Sequence, residues 1–189
     1  MKRKPAAFEY VNRRGVRYLL CETRTKTGKP RYVFSREPVG SPVAAVPAGH
    51  EVAENVNGGV SLRKAGTLAI REDEIAAVKA ALAKHPHLKR CRVEARKREL
   101  VVYESQTGDL EAFAQLFGSR APQDLLDRAL LSPVLRFVLD DDERRMFVVE
   151  RMVCRGSFNG WHALGGGPLD ELAERYVKHI GKESFYELM

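Results

Sequence analysis

The stretch that most constrains this chain is Arg136 to Gly167, RFVLDDDERRMFVVERMVCRGSFNGWHALGGG. Two nearly continuous apolar runs, Val134–Leu139 and Arg144–Cys154, flank the acids Asp140, Asp141, Asp142 and Glu143. Runs of this length and composition predict two strands joined by an acidic turn, buried on both faces. The only tryptophan, Trp161, opens a short third strand, Trp161–Leu164, after a loop at Arg155–Gly160. Gly165-Gly166-Gly167 then reads as a flexible connection, with Pro168 at the start of a helix. The helix stripe is Leu169, Leu172, Ala173, Tyr176 and Ile180, and Gly181 is placed to close it. The apolar tail SFYELM is expected to dock.

A buried hairpin needs neighbours, and the preceding residues supply them. Arg71–His85 has a stripe of Ile75, Val78 and Leu82, with Glu72, Asp73 and Glu74 in its first turn, where acids suit the helix dipole. Leu88–Arg96 alternates, with Cys91, Val93 and Ala95 inward, and Glu99–Glu104 returns as its partner. Asp109–Phe117 and Pro122–Leu131 read as two short helices, the second stopped by Ser132-Pro133.

The first 65 residues differ in character. Phe8–Asn12, Val16–Glu22 and Arg31–Ser35 are strand-like runs joined by turns at Arg13-Arg14-Gly15 and Thr27-Gly28-Lys29-Pro30. Alternation puts Val16, Tyr18, Leu20, Tyr32 and Phe34 on one face of this meander and Arg17 and Arg31 on the other. Proline-containing Glu37–Gly49 reads as an extended connection. Glu51–Asn55 and Val60–Lys64 pair around Asn57-Gly58-Gly59 and are expected to extend the same small sheet. The fold expected is therefore α+β. A small basic antiparallel β-meander module at 1–65 precedes a larger α+β domain at 66–189, whose antiparallel sheet is covered by helices.

Charge separates the two parts. Residues 1–36 carry 11 Lys and Arg against 2 Asp and Glu, a net +9, while residues 67–189 sum to −1. Such asymmetry points to a polyanionic partner. No apolar run approaches the roughly 18 residues that span a bilayer, and the basic head MKRKPAAFEY has no signal-like apolar stretch behind it. The three cysteines, Cys21, Cys91 and Cys154, form neither a disulfide framework nor a zinc signature. Together these features place the chain in the cytoplasm, away from membranes, with no metal and no cofactor expected.

The candidate nucleic-acid-binding set is Arg13, Arg14, Arg17, Arg24, Lys26, Lys29, Arg31, Tyr32 and Arg36. Cations can meet phosphates, and exposed aromatics can stack on bases. The bland reading is a solvated sheet whose aromatics are its own core. Six phosphate contacts would give a log-affinity against log-salt slope near about −5. A second basic group, Lys89, Arg90, Arg92, Arg96, Lys97 and Arg98, is diluted by Glu94 and Glu99 and reads as a solvated strand face. A pocket candidate gathers Cys154, Trp161, His162 and Gly166 around the Arg155–Gly167 loops. There, Cys154 and His162 lie either side of one loop and could meet as nucleophile and base, while a cysteine ending a buried strand usually serves as a small hydrophobe.

The function expected is non-catalytic binding of a polyanion, nucleic acid foremost, through the front module. The alternatives are docking of an acidic protein partner and, behind it, an enzyme using Cys154 and His162.

Overall fold

A computed structural model describes residues 7–105, 129–155 and 158–188. The chain divides into two compact units, Met1–Thr67 and Leu68–Met189. Among the described residues antiparallel sheet dominates and helices are few, which is the coarse form of the α+β expectation.

In the front unit, β1 (Glu9–Val11), β2 (Arg17–Arg24) and β3 (Pro30–Ser35) form an antiparallel meander. A two-residue strand, β4 (Ser41–Pro42), pairs with Glu22 and Cys21 beyond the end of β1. The connection expected to be unpaired thus contributes one short strand, with Pro42 at the sheet margin, where a missing N–H is tolerated.

The register places Tyr10, Tyr18, Leu20, Phe34 and Tyr32 on one face, and Val11, Arg17, Leu19, Cys21, Val33 and Arg31 on the other. Phe8 and Tyr10 lie against Phe34, with ring centroids 6.4 and 6.3 Å apart. These aromatics are spent on one another as a small core.

β5 (His50–Glu54) and β6 (Val60–Lys64) do not extend that sheet; they pair only with each other. Side chains tie this hairpin to the β1–β2 turn instead. Asn12 Nδ2 donates to the Gly58 carbonyl (2.7 Å), and the Tyr10 hydroxyl and the Arg13 backbone N–H donate to Glu54.

One turn design recurs three times in this unit, at Asn12–Val16, Thr25–Lys29 and Asn55–Gly59. In each, the fourth residue is glycine and donates its N–H to the carbonyl of the first, while the first donates its own N–H to the carbonyl of the fifth. Gly28 has φ +79°, and Gly15 and Gly58 share that left-handed conformation. This is the three-residue hairpin loop closed by a glycine bulge. The first side chain completes each turn. Asn12 Oδ1 accepts from Arg14 and Val16, Thr25 Oγ1 from Lys29, and Asn55 Oδ1 from Asn57 and Gly59.

The second unit runs α1 (Glu72–Ala83), a 3-10 turn (Pro86–Leu88), β7 (Arg92–Arg96), β8 (Glu99–Ser105), β9 (Leu131–Asp141), β10 (Met146–Arg155) and β11 (Phe158–Pro168). It ends with α2 (Leu169–Tyr176), a 3-10 turn (Val177–His179) and α3 (Glu183–Tyr186). The five strands are antiparallel in the order β11-β10-β9-β8-β7. Val78 and Leu82 of α1, Leu172 and Ala173 of α2, and Leu100, Leu135, Phe137, Phe147 and Val149 of the sheet belong to one hydrophobic cluster. Phe185 joins it from the tail. Burial is not equal on the two sheet faces. The opposite face holds Arg136 and Glu150, both half-buried, so the near-continuous apolar pattern overstated it.

Four expectations are corrected here. Leu88 lies in a 3-10 turn, and its strand starts at Arg92. Leu131, Ser132 and Pro133 belong to β9, not to a helix and its stop. A register shift between Val102 and Tyr103 accommodates Pro133, and the pairing of β10 with β9 reaches only Leu135, so its absent N–H breaks no ladder on that side. The short third strand is eleven residues long and contains the triple glycine. Gly165 lies opposite Val149 and Gly167 opposite Phe147 on the core side, and a Cβ at Gly165 would meet the Tyr176 hydroxyl at 3.0 Å. The glycines therefore let α2 approach the strand. Finally, α2 begins directly after Pro168 as expected, but it tightens to 3-10 after Tyr176, short of Ile180. The expected helix Asp109–Phe117 and most of Pro122–Leu131 lie outside the described residues.

Candidate nucleic-acid interface

The β2–β3 hairpin projects beyond its neighbours. β1 pairs with β2 only at Arg17–Leu19, and β4 only at Cys21 and Glu22. From Thr23 onward the two strands pair, among the described residues, only with each other, Thr23 with Arg31 and Arg24 with Pro30. Every residue from Arg24 to Arg31 is exposed. The loop is nevertheless defined. Gly28 N–H donates to the Thr25 carbonyl (2.9 Å), Lys29 N–H to Thr25 Oγ1 (3.1 Å), and Thr23 Oγ1 to the Arg31 carbonyl (3.1 Å). The result is a two-stranded ribbon with a well-formed end.

This ribbon carries Arg24, Lys26, Lys29 and Arg31, with no acid between Glu22 and Glu37. None of the four side chains has an acidic partner among the described residues. The other members of the sequence-derived set are deployed differently. Arg13 is paired with Glu54 (3.4 Å) and donates to the Asn55 carbonyl (2.9 Å). Arg17 pairs with Glu9 (3.2 Å) on the exposed β1 margin. Arg14 leans its side chain over Gly58. Arg36 lies above the Tyr18 ring, 6.0 Å from its centroid. Tyr32 is half-buried opposite Glu22. The set thus divides, and the ribbon end is the part whose charge faces water. The spacing of Thr25 and Gly28 marks the turn in the sequence; the lack of acidic neighbours around it becomes visible only in the fold.

The second basic group is largely tied down. Arg96 donates to Glu94 and to the Tyr103 hydroxyl, and Arg98 donates to Asp142 (2.6 Å). Arg98 in turn holds the Asp142 carboxyl below its ordinary value. Asp141 caps its own turn by accepting from the Glu143 and Arg144 N–H groups. Arg145, at φ +52°, reaches back to α1 with a two-pronged bond to Glu74 (2.8 and 2.7 Å) and a third to the Ala69 carbonyl (3.1 Å). No motif or periodicity around either residue signals this clip.

The pocket candidate is spread along one hairpin. Cys154 pairs with Asn159, Trp161 with Met152, His162 with Arg151 and Gly166 with Val148. Cys154 and Gly166 stand six ladder positions apart, about 20 Å at ~3.3 Å per residue. Strand alternation sends Cys154 and His162 to opposite faces, so the ladder does not bring thiol and imidazole together. The Cys154 thiol donates to Asn159 Oδ1 (3.2 Å). Trp161 instead receives the Arg136 guanidinium over its ring at 4.5 Å, and Arg136 is held by Glu99 and Glu150.

Elsewhere, burial first and Glu104 second push the Cys91 thiol up to about 12, which leaves it a small hydrophobe. His179 shares a hydrogen bond with Ser184 (2.9 Å), and burial lowers its pKa. Among the described residues no three His, Cys, Asp or Glu stand together as metal ligands, and no helix is long and apolar enough to cross a membrane.

No protein-family model matches the chain, and no match is found among curated proteins or solved structures.

Proposed function

We propose that this protein binds nucleic acid or a related polyanion without catalysis, through its front unit. The carrying observation is the end of the β2–β3 ribbon, where Arg24, Lys26, Lys29 and Arg31 project from a defined hairpin with no acidic partner among the described residues. This reading takes residues 1–65 as a binding domain. It takes the rest as an α+β support, with α1 and α2 layered on one sheet face, and the shared hydrophobic cluster supports that layering. Four phosphate contacts correspond to a log-affinity against log-salt slope of about −3.6 on duplex DNA. Fluorescence anisotropy with a labelled random duplex, a single strand and a polyglutamate chain, each at several salt concentrations, tests the reading. Nucleic-acid binding with that slope is expected. Preference for polyglutamate would assign the ribbon to an acidic protein, and no binding to any of the three at low salt would end the proposal.

A further inference from the structure

Resting on that reading, the geometry points to a more specific ligand: we infer that the Thr23–Arg31 ribbon enters the major groove of double-helical DNA and touches phosphates on both sides of it. The cations are distributed for two-sided contact. Thr23 faces Arg31 across the ladder and Arg24 faces Pro30, so Arg24 and Arg31 project from opposite faces, with Lys26 and Lys29 in the turn between them. A flat sheet docking on one strand or on a protein surface would use one face only.

Dimensions agree with this assignment. Strands in a ribbon lie about 4.8 Å apart, and the two steps from Thr23 to the turn at Thr25 extend it by about 7 Å before the turn itself. A B-form major groove is about 12 Å wide and 8.5 Å deep and admits a two-stranded ribbon, whereas the minor groove is about 6 Å wide. The deep, narrow major groove of A-form RNA does not admit such a ribbon.

Stacking on single strands is disfavoured by the same unit. Phe8 and Tyr10 pack on Phe34, and Tyr10 is bound to Glu54, so these rings offer no platform to unpaired bases. The ribbon end holds arginine, lysine, threonine, glycine and proline but no glutamine or asparagine. Its arginines and lysines suit phosphates and the O6 and N7 of guanine, so any base preference is for guanine over adenine.

The test uses the full chain and three substitutions, Arg24→Ala, Arg31→Ala and, away from the ribbon, Arg63→Ala. The first two, on opposite faces, should each reduce the salt slope on a duplex by about 0.9 and weaken binding about eightfold at 0.1 M salt. Arg63→Ala should leave both unchanged. Dimethyl sulfate footprinting should show protection of guanine N7, in the major groove, and not of adenine N3, in the minor groove. Several-fold tighter binding to the duplex than to a single strand is also expected. Sensitivity to only one of the two ribbon arginines, protection at adenine N3, or equal affinity for single strands would overturn groove entry and leave polyanion binding standing. Absence of binding to every nucleic acid and to polyglutamate would overturn both.

Discussion

The two units use arginine in opposite ways. In the second unit, arginines bridge elements distant in sequence. Arg145 ties the β9–β10 turn to α1 through Glu74, Arg98 reaches Asp142, and Arg136 links Glu99 on β8 to Glu150 on β10. Each charge is neutralised where it sits, and the unit's formal sum stays near zero. In the front unit, the acids Glu9, Glu51 and Glu54 hold Arg17, Arg63 and Arg13, while Arg24, Lys26, Lys29 and Arg31 gather at one hairpin end without an acidic partner among the described residues. Total charge therefore says less than how much of it the fold consumes. A guanidinium with a partner stiffens the structure; one without a partner is available to a ligand.

The comparison breaks most visibly if the ribbon charge is removed. Replacing Arg24, Lys26, Lys29 and Arg31 together by alanine should weaken duplex binding at 0.1 M salt on the order of 10³-fold. The urea midpoint should move little, since exposed substitutions cost within about 0.5 kcal/mol. A large loss of stability would show that these side chains support the fold after all.

The converse substitution lies in the second unit. Glu74→Ala removes the two-pronged partner of Arg145, whose side chain is 19% exposed and keeps Asp142 and the Ala69 carbonyl, and removes the acceptor for the Arg71 N–H at the start of α1. Breaking a largely buried pair from one side costs about 3 kcal/mol, and urea unfolding reads it. DNA binding measured on the folded fraction should be unchanged.

How far each part could be read in the sequence follows from the range of the interactions. The front meander, its face assignment and its turns were legible, because alternation and glycine turns act over a few residues. The same was true of α1, whose first-turn acids and Pro86 mark its ends. Pro133 misled, because proline usually ends elements, and only the ladder with Tyr103 shows the register shift that houses it. The triple glycine misled in the same way. It resembles a linker locally, and its strand role is set by Tyr176, eleven residues beyond Gly165. Of the candidate interface, the excess charge was visible, but which arginines remain unpaired depends on Glu9 and Glu54 meeting them across the sheet and turn. The Arg145–Glu74 clip spans 71 residues and leaves no mark on either neighbourhood.

Two smaller effects refine the contrast. Cys21 is buried in the front unit, Cys91 lies against the core of the second, and Cys154 is exposed. Thiol labelling followed by mass spectrometry should modify Cys154 without denaturant. With rising urea, Cys21 should be modified before Cys91, because a unit of about 67 residues buries a smaller share of its surface than a larger one. Simultaneous labelling would show that the units unfold as one.

The smallest effect is on pH dependence. Burial lifts the Glu104 carboxyl above its ordinary 4.5, with the nearby His87 opposing. The folded state then holds that proton more tightly than the unfolded state, so the associated stability is full below pH 4.5 and declines as pH rises toward the folded value. Glu104→Gln should flatten this part of the stability profile and raise neutral-pH stability, and urea titrations at several pH values measure both.

The sequential strand order of the second unit also governs how it is made. Every strand in the order β7 to β11 adds beside the one synthesised just before it, so on the ribosome the sheet can grow at an existing edge, without threading or strand exchange. Its apolar face has a different timetable. Leu169, Leu172, Ala173, Tyr176, Val177, Ile180 and Phe185 join the cluster only after β11 has emerged. Until then Phe137, Phe147 and Val149 lack a large part of their packing. A nascent chain stalled near Pro168 would present the sheet with that face incomplete, making this the point in synthesis at which a chaperone has most to hold.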